Sequence, residues 1–418
     1  MTPMHSRVTS SFPSLLRRRL LRFGLALLFL MIMLFGSAQR IAPHAHADGG
    51  NVLYAPDLNA YPNASASSPR WIRLEHSGSA NGTMLATFDN GNTFAHPYGD
   101  GVPPSFTIYS SAAMGPIAVV SDAVHHYPFL QQPMLFEVPQ QLGSGSNSLP
   151  PGTLLLVGNY EAGNVTDQDL EVYRSDDHGY NWSYMSSCAT GGHSGAGTWE
   201  PYLQVDAYGN LVCYFSDERQ NGAGYSQFIG HVVSTDGGHT WGPEVMDVGV
   251  NDNSTRPGMA TVIRLSNGLF LMSFETVGLT NSEVHVKTSS DGDNWGNAAD
   301  LGVRVQTSDG SYFGASPQMA VSSTGEVFLV AKAFFNSSNQ LAPEDGDVIL
   351  GNKSNSPDGW FKITAPFSIN NPVPSLNVDC NNYSPTLLPS DDGTSLLLGA
   401  PVQISPGHCE ILYGTTGV

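Results

Sequence analysis

The chain has little charge, and few bases in particular. Only 13% of its 418 residues are Asp, Glu, Lys or Arg, with 17 bases against 36 acids. Six of those bases (Arg7, Arg17, Arg18, Arg19, Arg22 and Arg40) precede residue 48, where no acid occurs. The remainder therefore carries 36 acids and 11 bases, a balance of −25. Such a surface repels phosphate backbones, which excludes nucleic acid as a partner class and suits a neutral substrate. Metal motifs are missing too. There is no C-x-x-C and no H-E-x-x-H, and the histidines are scattered, so neither a metal nor a cofactor is expected.

Long apolar runs are absent, with one exception. "FGLALLFLMIMLFGSA", Phe23–Ala38, follows the arginines and precedes "AHA" at Ala45–Ala47. A basic stretch, an apolar run and an A-x-A site make a secretory signal, with Ala38 as an alternative cut. The run is short for a membrane-spanning helix. The expectation is a signal peptide over 1–47, then one extracellular domain over 48–418 with no membrane attachment, acting as a monomer. Cysteine is scarce as well: Cys188, Cys213, Cys380 and Cys409. An even count in an exported chain points to disulfides, with three possible connectivities. Nearness in sequence favours Cys188–Cys213 and Cys380–Cys409.

Helical periodicity is missing as well. What stands in its place is a repeat. A turn glycine followed by an apolar run recurs as "NGTMLATFD" (Gly82), "PGTLLLVGN" (Gly152), "YGNLVCYFS" (Gly209), "NGLFLMSFE" (Gly268), "TGEVFLVAK" (Gly325) and "DGTSLLLGA" (Gly393). Upstream of each lies another short strand with a proline near its start: Pro69, Pro133, Pro201, Pro257, Pro317 and Pro385. Many short strands at this interval read as an all-β, six-bladed β-propeller with four strands per blade. "SDDHGYNW" (Ser175–Trp182) and "STDGGHTW" (Ser234–Trp241) are Asp-boxes, with degenerate copies at Thr288–Trp295 and Ser354–Trp360. Asp177, Asp236, Trp182 and Trp241 belong to these outer hairpins and read as scaffold.

The inner strands of a propeller line its axis, and ligands bind at the mouth. Equivalent repeat positions therefore form rings. The residues before each proline are Ser68, Gln132, Glu200, Arg256, Ser316 and Ser384. Those seven residues after each turn glycine are Asp89, Asn159, Ser216, Glu275, Lys332 and Ala400. Asp217 and Arg219 follow closely in blade 3. The charges in these rings read as a site, or else as strand-end residues and ion pairs between blades. Glu200 follows "TW" and Glu275 follows "MSF". Apolar walls raise a carboxyl pKa and favour proton donation. Two facing carboxyls without a nucleophilic serine or cysteine signature suit glycoside cleavage.

"WEPYL…LVCYFSDERQ", "TRPGMATVIRLSNGLFLMSFE" and "NNYSPTLLPSDDGTSLLL" resemble glycoside hydrolase family 93, from about Tyr61 to the C-terminus. The resemblance implies a secreted, sialidase-like propeller. It also implies exo-acting α-L-arabinanase activity that releases arabinobiose from linear α-1,5-L-arabinan with retention. Glu200 and Glu275 match that family's catalytic pair. Glu200 is expected as acid/base and Glu275 as nucleophile, with Asp89, Arg256, Lys332, Trp199, Asp217 and Tyr383 as substrate-binding candidates. Trp199 can stack on a furanose or pack in a blade core, and Tyr383 can hydrogen-bond a glutamate or simply pack. One rival is an exo-α-sialidase, which needs an arginine triad that seven arginines after residue 47 scarcely supply. Another is a non-catalytic carbohydrate-binding propeller.

Overall fold

The computed structural model describes residues 49–62, 64–90, 105–127, 129–162, 167–192, 196–369 and 380–418. The expected signal peptide over 1–47 lies outside the described residues. Six four-stranded antiparallel sheets form the blades of a β-propeller. Among the described residues the helical elements are four single 3₁₀ turns. No described helix is long and apolar enough to cross a membrane.

Each repeat glycine closes the hairpin between the first and second strands of a blade. Gly209, with φ of 86°, takes the left-handed conformation that the turn between Thr198–Val205 and Leu211–Asp217 requires. The second strands read as unbroken apolar runs because neighbouring blades cover both faces; every residue of Leu211–Asp217 is buried. The cores lie between blades. Blades 2 and 3 share one built on Val157, Val172, Leu203 and Phe215, and blades 3 and 4 share another built on Tyr214, Ile229, Val262 and Phe274. Each fully buried side chain of this size contributes roughly 1.5–3 kcal/mol. Where blades 6 and 1 meet, Trp71 lies so close to Gly399 that a Cβ there would fall 2.3 Å from the indole.

The ring closes by shared strands. Blade 6 takes Thr386–Pro389, Ser395–Ser405 and His408–Gly417 from the C-terminal end and Asn51–Tyr54 from the N-terminal end, the last pairing with His408–Gly417. Two disulfides reinforce the structure with the favoured connectivity, Cys188–Cys213 and Cys380–Cys409. The first joins the outer strand of blade 2 to the second strand of blade 3. The second ties the approach to the inner strand of blade 6 to that blade's third strand.

The Asp-boxes lie between third and fourth strands, as hairpins. Asp177 accepts from the amide and side chain of Asn181 at 2.8 and 2.5 Å, and Asp236 accepts from Thr240 in the same way at 2.9 and 2.8 Å. Trp182 packs against the core shared by blades 1 and 2, and Trp241 against the core of blades 2 and 3.

Candidate active site

The inner strands share one irregularity. In blade 3, Trp199 pairs with Ser216 and Tyr202 with Tyr214, so Glu200 and Pro201 together oppose Phe215. This is a β-bulge, two residues facing one. Blades 1, 2 and 4 repeat it at Ser68-Pro69, Gln132-Pro133 and Met259-Ala260. Pairing on either side places it at Ser316-Pro317 in blade 5 and Ser384-Pro385 in blade 6. Proline fits the second position because that residue needs no ladder N–H. The first position is left-handed in all six blades, with φ of 47°, 54°, 57°, 57°, 40° and 48° from blade 1 to blade 6. None of the six is glycine, and each such residue costs on the order of 1–3 kcal/mol.

This geometry corrects the first ring. Arg256 does not occupy the bulge of blade 4; Met259 does. Pro257 lies two residues before that bulge, and the bulge itself carries Ala260 where the other blades carry proline. Glu200 is thus the one charge in the ring of six. In the second ring, Asp89, Asn159, Ser216, Glu275 and Lys332 hold equivalent places. Blade 6 is offset by one residue, because Thr386 pairs with Gly399, so Pro401 rather than Ala400 completes the ring.

The bulges turn their amides toward the neighbouring blade. Gln132 N–H donates to Asp89 Oδ1 at 2.6 Å, Met259 N–H to Ser216 Oγ at 3.0 Å, and Ser316 N–H to Glu275 Oε2 at 2.7 Å. Between blades 2 and 3 the acceptor is Gln132 Oε1, 2.9 Å from Glu200 N. At three of these four junctions a side chain seven residues past the turn glycine serves the next blade's strained amide. These bonds offset part of the strain and fix the side chains that make them.

Glu200 and Glu275 are both half-buried. Glu200 Oε2 accepts from Ser216 Oγ at 2.5 Å and from Met259 N–H at 3.2 Å. Burial, with the charge of nearby Glu275, pushes the Glu200 carboxyl up to about 7 against these donors. Burial raises Glu275 as well, while the Ser316 amide, Arg256 and Lys332 work to keep it ionised. Arg256 pairs with Val277 and so lies on the same face as Glu275, two residues along. Its guanidinium bonds Glu218 at 2.5 Å and Gln227 at 2.8 Å.

The other candidates divide. Trp199 is half-buried, belongs to none of the blade cores and lies over Gly197, where a Cβ would fall 2.6 Å from the indole. Tyr383 is half-buried, with the Lys332 ammonium 5.3 Å from its ring. Lys332 is 4% exposed and donates to the Cys380 carbonyl at 2.7 Å, so it seats the 380–383 segment rather than reaching outward. Asp217 is fully buried, with Arg219 bonding it through Nε at 2.9 Å and Nη2 at 2.6 Å. That burial corrects the expectation of substrate contact and makes the pair a local clasp. Asp89 is 3% exposed, held by Ser67 Oγ at 3.0 Å and the Gln132 amide. Burial raises its carboxyl to about 7.

Arg70 was not among the candidates, although it directly follows a bulge proline. It donates to the Ser384 carbonyl at 2.9 Å and Ser384 Oγ at 2.7 Å. Burial lowers its pKa to about 10, against the charge of Asp89. Hydrogen bonds link Asp89, Gln132 and Glu200, and charge interactions join Glu200 to Glu275, Glu275 to Lys332 and Arg70 to Asp89. The remaining arginines are engaged elsewhere: Arg73 with Asp391, Arg174 with Asp176, Arg219 with Asp217, Arg304 with Glu283 and Arg264 over Phe270. Among the described residues, Arg70 and Arg256 are the arginines near these carboxyls, one short of a carboxylate-binding triad.

Metal-ligand types converge once among the described residues, at Asp122, His125 and Glu171 between blades 1 and 2, with ligand atoms within 4.8 Å of one another. They already serve one another and the chain. Asp122 accepts from the amides of Val124, His125 and Tyr127, and Glu171 binds His125 Nδ1 at 2.7 Å and Tyr173 Oη at 2.9 Å.

No protein-family model matches the chain, and no curated protein matches it. Solved structures do. The fold is that of sialidase-like propellers; a Hadza microbial sialidase shares it at a TM-score of 0.52 and 13% identity, over 88% of this chain and 68% of that one. Within that class the chain is similar to glycoside hydrolase family 93. A Penicillium chrysogenum α-L-arabinanase, solved with arabinobiose, is 26% identical with a TM-score of 0.71, covering 88% of this chain and 97% of that one. The family 93 α-L-arabinofuranosidase of Fusarium graminearum, also solved with arabinobiose, is 25% identical with the same TM-score and coverage.

Proposed function

We propose that the protein is a secreted, exo-acting α-L-arabinanase that releases arabinobiose from linear α-1,5-L-arabinan with retention of configuration. The observation that carries this reading is the unequal support of two neighbouring carboxyls at the propeller axis. Glu200, raised to about 7, can both hold and release a proton near neutral pH and acts as the acid/base. Glu275, with Arg256 and Lys332 favouring its charge, acts as the nucleophile. Glu200 gives its proton to the glycosidic oxygen as the C–O bond breaks, and Glu275 attacks the anomeric carbon. Water then attacks the glycosyl-enzyme, losing a proton to Glu200 and freeing Glu275. Arabinobiose in the two similar arabinan-acting enzymes supports the substrate class. Trp199, half-buried and next in the chain to Glu200, is assigned to furanose stacking, and Tyr383 and Arg256 to the sugar and the nucleophile. The N-terminal signal pattern and the two disulfides support export.

The test is incubation of the purified protein with linear arabinan, debranched arabinan and sialyl-lactose. Arabinobiose released as the α-anomer, followed by NMR at early times, is the expected product. Arabinose alone would redefine the enzyme as an arabinofuranosidase, and free sialic acid would overturn the assignment. Binding to arabinan without turnover would leave a carbohydrate-binding propeller.

A further inference from the structure

Ser216 is fully buried, and among the described residues its hydroxyl has two partners. It accepts the Met259 amide at 3.0 Å, so its own hydrogen is directed to Glu200 Oε2, 2.5 Å away. The same amide reaches Glu200 Oε2 at 3.2 Å. Two donors thus converge on Oε2. The nearest donor to Oε1 is Gln132 Nε2, at a slack 3.5 Å, and Gln132 is itself oriented by the Glu200 amide. A proton on Oε2 would drive Oε2–H against the Ser216 hydrogen. Turning the hydroxyl around would leave that hydrogen buried with no acceptor, which is unfavourable.

We propose that Ser216 is a positioning residue which occupies Oε2 of Glu200 and so keeps the transferable proton on Oε1. The inference rests on the assignment of Glu200 as acid/base. Oε1–H gives its proton to the leaving-group oxygen, the resulting carboxylate keeps the Ser216 and Met259 donors on Oε2, and the deglycosylating water returns a proton to Oε1. Glu275 is arranged in parallel: Ser316 N–H holds its Oε2, leaving Oε1 for the anomeric carbon. In each glutamate one oxygen is held by the next blade's bulge and the other performs the chemistry.

The test compares Ser216→Ala and Glu200→Gln with the wild-type enzyme on two substrates: linear arabinan, whose leaving alkoxide needs a proton, and a p-nitrophenyl arabinobioside, whose leaving phenolate does not. For Ser216→Ala, kcat/KM on arabinan should fall about 10-fold or more, a fraction of the ~10²–10⁴ that general acid catalysis supplies. On the aryl substrate it should stay within about twofold. The alkaline limb of the arabinan pH profile should move upward, because ionised Glu200 loses a donor. Thermal melting checks that the variant is folded. Equal losses on both substrates, or an unmoved alkaline limb, would overturn the role of Ser216 while leaving the Glu200 assignment intact. Glu200→Gln should lose arabinan activity far more than aryl activity; equal losses there would overturn the acid/base assignment and the Ser216 role with it.

Discussion

The outer hairpins and the axial rings both place acids at fixed repeat positions, yet they treat the charge in opposite ways. Asp177 and Asp236 sit in turns. Burial works against their charge, but the amides and side chains of Asn181 and Thr240 outweigh it and hold both below the usual carboxylate range. At the axis, burial outweighs the donors: Asp89 and Glu200 rise to about 7, and Glu275 rises too. An acid given turn amides is fixed as an anion and serves the scaffold. An acid whose burial outweighs its donors can exchange a proton near neutral pH. Within the axis, Asp89 and Glu275 refine the contrast. Both hold the next blade's bulge amide, but Asp89 is sealed and Glu275 is half-open.

That contrast can be broken from the axis outward. Glu275→Gln and Glu200→Gln should each lower arabinan kcat by about 10²-fold or more, with the melting temperature maintained; near-wild-type turnover in either variant removes that residue from the mechanism. In the wild type, kcat/KM should decline as pH rises through about 7, where Glu200 loses its proton, and decline again in acid as Glu275 becomes protonated. A rate that keeps rising to pH 9 would contradict this assignment. Reduction of both disulfides should cost roughly 2–4 kcal/mol per bridge, read as a lower denaturant midpoint, while the rate per folded molecule at low denaturant stays near that of the oxidised form. Asp89→Ala strands the Gln132 amide and should destabilise by roughly 1–3 kcal/mol. Asp89→Asn keeps an acceptor and should cost much less; equal losses would show that the amide bond is not what Asp89 supplies.

Stability itself should report the opposing shifts. The pKa of Asp89 and Glu200 is higher folded than unfolded, so their contribution is fully present below their unfolded pKa and is lost as pH rises through about 7. Titration from pH 8 to pH 5.5 should therefore raise the melting temperature, and Glu200→Gln should shrink that rise. Below about pH 4 the sign reverses, because Asp177 and Asp236, depressed in the folded state, take up protons and lose their turn bonds.

The blade count and the places of Glu200 and Glu275 in the repeat were legible because a turn glycine and a strand proline recur in every unit, and the disulfide pairing because the partners are near in sequence. The first ring failed in blade 4, where Pro257 stands before the bulge and Ala260 stands in it. A proline at the start of a strand flanked on both faces was itself a sign of a bulge, but it was read only as a marker. Lys332 and Asp217 were misjudged for a different reason. Repeat position says which ring a side chain joins, while its partner, the Cys380 carbonyl or Arg219, comes from a loop or neighbour whose placement the repeat does not encode. Arg70 is not marked by the repeat, because it stands two residues beyond the ring position at Ser68.

The closure of blade 6 has a consequence for how the molecule is made. Asn51–Tyr54 leaves the ribosome before any other strand of the propeller, yet it pairs with His408–Gly417, which is synthesised last. Blades 1 to 5 can form in order as the chain emerges, but the ring stays open until His408–Gly417 has been made. A chain cut short before His408 would leave both the first strand and the flank of blade 1 exposed, ready to pair with another molecule.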